Sequence, residues 1–309
     1  MAEDKASLLD PAFLRKLERL RIQARRAFPG TIRGERRSTR KGSSVEFSDF
    51  RKYEAGDDFR HVDWNIYARL ERLVLRQFVE EEDVRIDIMI DQSRSMHFGE
   101  PMTKFDFARR AAAALAFLAA SSLDRFGVTV FDAAVRKRLR PLRGRGHLLS
   151  VISFLENLAE AGGARIEEER DSGGGTNLSG VLRAYQKVSL RPGILFVISD
   201  FLDTSDFRAD MKLLAHRGFD LNLIQVLTRE EIQPEIGGDL LLVDSETGEQ
   251  RELTANERAM AAYRRALAAF TTDLEAFSRR NGIGYAQLTV DQAFEDLLLK
   301  NLIESRMAE

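Results

Sequence analysis

Cysteine is absent from the 309 residues, which excludes disulfides, thiolate nucleophiles and cysteine-held metals. A chain without disulfides suits a reducing compartment, and the expected location is cytoplasmic. The amino terminus, Met1-Ala-Glu-Asp-Lys5, lacks the basic-then-apolar pattern of a secretory leader. Long apolar runs are missing too. The most apolar helical stretch, around Ala111 to Ala120, falls short of the roughly 20 residues a membrane helix needs. No membrane span is expected.

What is present is the composition of a globular chain with a substantial core, 44% hydrophobic and 31% charged. The length allows one large α/β domain or two ordinary ones. The net charge of −2 conceals an asymmetry: residues 1–45 hold 12 Lys/Arg against 5 Asp/Glu, leaving +7 there and −9 in the remainder. A basic arm can serve nucleic acid or acidic lipid. Here Phe13, Leu14, Leu17, Leu20 and Ala24 have helical spacing, so Arg15, Lys16, Arg19, Arg25 and Arg26 form the solvated face of an amphipathic helix. No recognition motif accompanies the charge, and no nucleic-acid partner is expected.

Asp10-Pro11 starts that helix, and Pro29-Gly30 ends it; Thr31 to Ser44 reads as a flexible polar loop. Residues Val45 to Trp64 show neither period 2 nor 3.6. There Glu46, Asp49, Asp57, Asp58 and Asp63 alternate with Arg51, Arg60 and Arg69 among Phe47, Phe50, Tyr53 and Trp64. An irregular segment held by aromatic anchors and carboxylate–guanidinium pairs is expected. From Leu73 onward, strands alternate with helices, which implies a doubly wound, mostly parallel sheet with helices on both faces. The expected helices include Phe105–Leu123, His147–Ala159, Ser179–Val188, Phe207–His216, Asn256–Arg280 and Ala293–Met307. Leu240–Asp244 and Gln250–Leu253 flank a turn and predict a β-hairpin, inserted at about 237–254. The expected divisions are 1–44 (basic helix and loop), 45–82 (the aromatic and charged segment) and 83–309 (the α/β domain).

The chemistry gathers at strand ends. The apolar run Ile86 to Ile90 stops at Asp91, Ser93 and Ser95; Gly193 to Ser199 stops at Asp200; Thr176 follows three glycines. In a doubly wound sheet, ligands bind at the carboxyl ends where strand order reverses. Two carboxylates and three hydroxyls, without His or Cys nearby, suit Mg²⁺, Mn²⁺ or Ca²⁺ rather than Zn²⁺. For Asp91-x-Ser93-x-Ser95 alone a second reading stays open: Asp91 caps the turn and both serines bond backbone. Gly173-Gly-Gly-Thr176 lacks the Lys of a phosphate-cradling loop.

Asp91-x-Ser93-x-Ser95, Thr176 and Asp200, in this order, resemble the metal-ion-dependent adhesion site (MIDAS) of von Willebrand factor A domains. The resemblance implies that Ser93, Ser95 and Thr176 coordinate the ion directly, while Asp91 and Asp200 act largely through water. It also implies an open position for an acidic residue of a partner. Glu46, Asp49, Arg51, Tyr53, Asp57, Asp58, Arg60, Asp63, Trp64 and Arg69 resemble the signature of domain-of-unknown-function family number 58, in which such a segment is joined to an A-domain; the expected role of the segment here is packing on that domain or a partner surface. That resemblance implies partnership with a MoxR-type AAA+ ATPase, as an adaptor in assembly or maturation of a client protein. The expected function is therefore a metal-dependent protein-interaction module and not an enzyme. The competing expectation is a Mg²⁺-dependent, haloacid-dehalogenase-like phosphohydrolase with Asp91 as nucleophile. That chemistry wants a general acid two residues on, where Ser93 stands.

Overall fold

The computed structural model describes residues 15, 18, 46–54, 57–79, 84–121, 124–168, 176–189, 191–203, 205–244 and 248–292. In the amino-terminal helix expected over Asp10–Phe28, only Arg15 and Glu18 are described, and both are helical and exposed. The closing helix expected over Ala293–Met307 lies outside the described residues, as do the loop of Thr31–Ser44 and Gly173–Gly175. The chain divides into two compact units, Phe28–Asp83 and Met1–Ala27 with Val84–Glu309.

In the smaller unit, β1 (Glu46–Lys52) pairs antiparallel with β2 (Val74–Val79), with a short helix α1 (Trp64–Leu70) between them. The irregular path expected before Trp64 gives way to a strand and a 3₁₀ turn, Phe59–His61. The reason is local. A bulge between Phe47 and Asp49 shifts the register, so one face of β1 never shows an unbroken alternation. Asp63, almost fully buried, caps α1 by accepting the Asn65 and Ile66 N–H groups. Arg51 pairs with Asp57 at 2.8 Å, and Asp58 holds Arg60 at 2.7 Å. Tyr53 stacks on Phe59, while Trp64 stands half exposed, edge-on to Tyr67. Arg69 is exposed.

The larger unit is organised by a six-stranded sheet in the order β10-β7-β6-β3-β4-β5. These strands are β3 (Arg85–Asp91), β4 (Arg125–Phe131), β5 (Val135–Arg143), β6 (Ile194–Ser199), β7 (Asp220–Leu227) and β10 (Gly284–Thr289). All neighbours run parallel except the edge strand β5, antiparallel to β4. On β5 the charged run Arg136, Lys137, Arg138 and Arg140 discourages further pairing.

The central strands are apolar on both faces because both faces are covered. Ile88, Ile90, Phe126, Val128, Ile198, Ile224 and Val226 pack beneath α2 (Lys104–Ser121) and α3 (Leu148–Glu168). Met89, Leu195, Val197, Leu221 and Leu223 pack against α4 (Leu178–Val188), α5 (Phe207–His216) and α7 (Glu257–Arg280). Between α5 and α7 lie the one-turn helix α6 (Arg229–Ile232) and a hairpin of β8 (Gly238–Val243) and β9 (Gln250–Ala255). The hairpin tip, 245–247, is outside the described residues. α3 runs past the expected end at Ala159, through Gly162 and Gly163, a pair that disfavours helix by its own entropy. α7 ends as its sequence requires: Gly282 takes φ +64°, a left-handed position, and the Ile283 N–H bonds back to the Ser278 carbonyl at 2.9 Å.

Gly193 sits where β6 first approaches β3, and a Cβ there would stand 2.5 Å from the Arg85 carbonyl oxygen. Gly193→Ala must push the two central strands apart. The expected cost is about 1–3 kcal/mol, read as a lower urea midpoint at unchanged slope. A wild-type midpoint would mean the strands separate there without strain.

Candidate metal centre

Strand order reverses between β3 and β6: from β3 the sheet grows through β4 to β5, and from β6 through β7 to β10. The crevice at the carboxyl ends of these two strands is the standard ligand position of an open α/β sheet. Asp91 is the last residue of β3, and Asp200 directly follows β6. The two acids therefore face one crevice because the strands carrying them are adjacent and parallel.

Beyond Asp91 the chain turns into a 3₁₀ segment, Arg94–His97. The turn is set by Asp91 itself, whose Oδ1 accepts the Ser93 N–H at 2.8 Å. This brings the Ser93 and Ser95 hydroxyls to 3.0 Å from each other. The Thr176 loop is tied down on two sides. The Asn177 N–H reaches the Asp132 carbonyl beyond β4 at 3.3 Å, and the Leu178 N–H reaches Asp203 Oδ2 beyond β6 at 2.6 Å. Since β3 lies between β4 and β6, the loop spans the end of β3. The structure thus brings Asp91, Ser93, Ser95, Thr176 and Asp200 to one end of the sheet. Glu46, Asp49, Arg51, Tyr53, Asp57, Asp58, Arg60, Asp63, Trp64 and Arg69 belong to the other compact unit.

The two acids at this end of the sheet differ in their surroundings. Asp91 is fully buried, and burial, reinforced by the neighbouring charge of Asp200, pushes its carboxyl up to about 7. The Ser199 hydroxyl on Oδ2 at 2.6 Å and the Ser93 N–H pull the other way. Asp200 is held by three neighbours. Its Oδ1 accepts the Leu202 N–H at 3.1 Å, its carbonyl accepts Gln225 Nε2 at 3.1 Å, and its Oδ2 takes the Lys104 ammonium at 2.8 Å. Phe201 follows in the left-handed region, φ +59°, which a bulky residue holds only under constraint. Its N–H on Ser199 Oγ at 2.9 Å and its complete burial supply that constraint.

The donor set fits a hard divalent ion. Oxygens about 2.1 Å from Mg²⁺ in an octahedron lie about 3.0 Å apart along each edge, and the two serine hydroxyls, hydrogen-bonded to each other at 3.0 Å, are close enough to share one ion once that bond opens. Among the described residues no three His, Asp or Glu side chains gather as ligands, so the hydroxyls are indispensable to any such site. The hydrogen bonds of Asp91 and Asp200 to the chain itself suit acids that act through water.

Asp91 does not lie at the rim of the core, where alanine would spare the fold. Asp91 is buried together with Ser199, so Asp91→Ala would strand the Ser199 hydroxyl and the Ser93 N–H. Thr176 and Ser95, both half-buried, are the cleaner positions to alter.

Sequence reasoning missed Lys104, Ser199 and Glu231. Lys104 is wholly buried and bridges Asp200 to Glu231 Oε1, the latter at 2.5 Å. The charges of those two acids outweigh burial and hold the ammonium's pKa above its ordinary value. A signal existed: Lys104 precedes Ala108, Ala111, Ala112 and Leu115 at helical spacing, on a stripe that is otherwise apolar.

Comparison with known proteins places the chain. Uncharacterized protein Rv1480 of Mycobacterium tuberculosis (strain ATCC 25618 / H37Rv) is 26% identical over 246 residues, covering 79% of this chain and 74% of that protein. Uncharacterized protein Mb1516 of Mycobacterium bovis matches to the same extent, 26% over 246 residues. Among solved structures, the conserved hypothetical protein BatB from Bacteroides thetaiotaomicron has 18% identity and a TM-score of 0.43, over 73% of this chain and 98% of that one. An aerotolerance-related membrane protein from Bacteroides fragilis NCTC 9343 gives 18% and 0.44, over 73% and 100%. No helix among the described residues of the present chain is long and apolar enough to cross a membrane. The family model "Protein of unknown function DUF58" matches residues 49–273, well over half the chain, and the chain belongs to that family.

Proposed function

We propose that this chain is a metal-dependent protein-interaction module of the von Willebrand factor A type, which captures an acidic side chain of a partner at the β3–β6 crevice. The observation that carries the reading is the pair of hydroxyls, Ser93 and Ser95, 3.0 Å apart beside Asp91 at the point where strand order reverses. Ser93, Ser95 and Thr176 would hold Mg²⁺ or Mn²⁺ directly and Asp91 and Asp200 through water, and the bound ion would offer its open position to the partner's carboxylate. The chain's own part is to keep the hydroxyls poised and the two acids fixed. Ser199 and the Ser93 N–H fix Asp91, while Leu202, Gln225 and Lys104 fix Asp200. The partner proposed from the family resemblance is a MoxR-type AAA+ ATPase, with the chain as its adaptor toward a client.

The phosphohydrolase reading has less support. A nucleophilic Asp91 needs a free oxygen facing substrate, yet both of its oxygens are engaged and the residue is fully buried. The position two residues on is Ser93, a poor proton donor.

The test is calorimetric titration of Mg²⁺ and Mn²⁺ into wild type, Thr176→Ala, Ser95→Ala and Asp91→Asn. Binding should weaken by about tenfold or more in each variant, the order expected when a ligand of a charged ion is lost. Association with a MoxR-type ATPase should then require the metal and disappear with chelator. Equal metal affinity in all four proteins would refute the site. Chelator-resistant association would refute the capture mechanism.

A further inference from the structure

The fold has placed a buried lysine against the proposed metal centre. Lys104 begins α2, is wholly buried, and directs its ammonium at Asp200 Oδ2, 2.8 Å away, and at Glu231 Oε1, 2.5 Å away. Glu231 is itself locked in place. Its Oε2 accepts the Thr228 N–H at 2.8 Å while Thr228 Oγ1 accepts the Glu231 N–H at 3.1 Å, so the acid doubles as the capping box of α6. Asp200 is pinned by the Leu202 N–H and Gln225. The ammonium thus lies between two fixed carboxylates, and moving it away would leave a buried charge without its partner.

We propose that Lys104 is the built-in counter-cation of the centre: it keeps Asp200 from ligating the ion directly and limits how tightly the site holds a divalent cation. This rests on the metal reading above and says what sets the affinity. Asp200 and Glu231 flank the ammonium, and Asp91 lies beside Asp200. A divalent ion entering beside Asp91 meets an acid whose charge is already partly satisfied, and it meets the repulsion of an ammonium in a water-poor crevice. The result is a site whose metal can leave, so that a partner's carboxylate contributes a larger share of the binding. Lys104 acts through Asp200; it is a positioning residue.

The discriminating variant is Lys104→Met with Glu231→Gln. Methionine keeps the length and apolar bulk of the lysine stem, and glutamine retains the capping function. Removing one cation and one anion leaves the formal charge of the group unchanged, so an affinity change reports the local hold on Asp200 rather than the overall field. Mn²⁺ titration followed by the resonance of the free ion should show dissociation constants at least about tenfold lower in the double variant than in wild type. A purely structural role for Lys104 gives the opposite sign, because a loosened crevice binds metal less well. Glu231→Gln alone leaves the ammonium to Asp200 and should weaken Mn²⁺ binding severalfold, a measurement that stands should the double variant not fold. Mn²⁺ affinity in the double variant equal to or below wild type overturns the proposal, as does an unchanged affinity in Glu231→Gln. If wild type binds Mn²⁺ and Asp91→Asn does not, that failure belongs to Lys104 alone. If no form binds Mn²⁺, the metal reading falls with it.

Discussion

Asp87→Ala should lower the stability of the α/β unit by about 3–5 kcal/mol, the range for stripping one partner from a buried ion pair. Asp87 sits in the middle of β3, nearly inaccessible, where an apolar strand has no other reason for an acid. Its Oδ2 accepts both Arg85 Nε at 2.6 Å and the Tyr185 hydroxyl at 2.7 Å. Alanine leaves a part-buried guanidinium and a buried phenol without their shared acceptor. Tyr185→Phe removes the hydroxyl and keeps the ring, and should cost only about 1–2 kcal/mol. The pair has an alkaline signature as well. Burial first, and the Asp87 charge second, raise the Tyr185 pKa above the ordinary tyrosine value. The folded chain therefore keeps a proton that the unfolded chain loses near pH about 10. The stability this contributes is complete below that pH and declines as pH rises beyond it. Tyr285, raised by burial and by Glu275, adds a decline of the same sign. Urea titrations at about pH 8 and about pH 10.5 should show a larger loss in wild type than in Tyr185→Phe. Equal losses would remove Tyr185 from the account.

Phe126→Ala should be as severe, at about 3–5 kcal/mol. Phe126 is fully buried near the start of β4, in the core covered by α2 and α3. The part of α2 from Ala111 to Ala114 is wholly alanine and buried, so it has little side chain to move into the vacated space, and the cavity should persist in part. The two cores share β3, with Ile88 and Ile90 facing one and Met89 the other. Loss of packing on one face should therefore lower a single transition rather than split it in two. Far-UV circular dichroism is the proper signal, because the single tryptophan, Trp64, lies in the other compact unit. Two resolved transitions would show that the faces melt independently.

The doubly wound fold was legible because β3 and β6 are buried on both faces, which makes each a mainly apolar run, broken in β3 only by Asp87, that stops abruptly at a polar residue. The same stops marked Asp91 and Asp200, and adjacency of the two strands put those acids in one crevice. β1 was not legible, since its bulge between Phe47 and Asp49 breaks the alternation that a strand is recognised by. The extent of α3 was hidden by Gly162 and Gly163, whose local preference is against helix. The partners of the site acids were hidden for another reason. Lys104 meets Asp200 across 96 positions and Ser199 meets Asp91 across 108, and neither pairing follows from any local pattern. Residue types at strand ends announce a site, whereas the balance of charge inside it depends on which distant side chains arrive there.

Those separations also govern when the centre comes into being as the chain folds. The hairpins β4–β5 and β8–β9 close over short loops, but the bond from Ser199 to Asp91 closes one of 108 residues. Long loops carry a larger entropic cost, and parallel pairing must accumulate before that cost is recovered. The crevice therefore assembles only as β6 docks beside β3, late in the ordering of the sheet. Contacts absent from the folding transition state act on the reverse rate. Anything that binds between Asp91 and Asp200 will then leave the speed of folding nearly untouched and lengthen the lifetime of the folded chain.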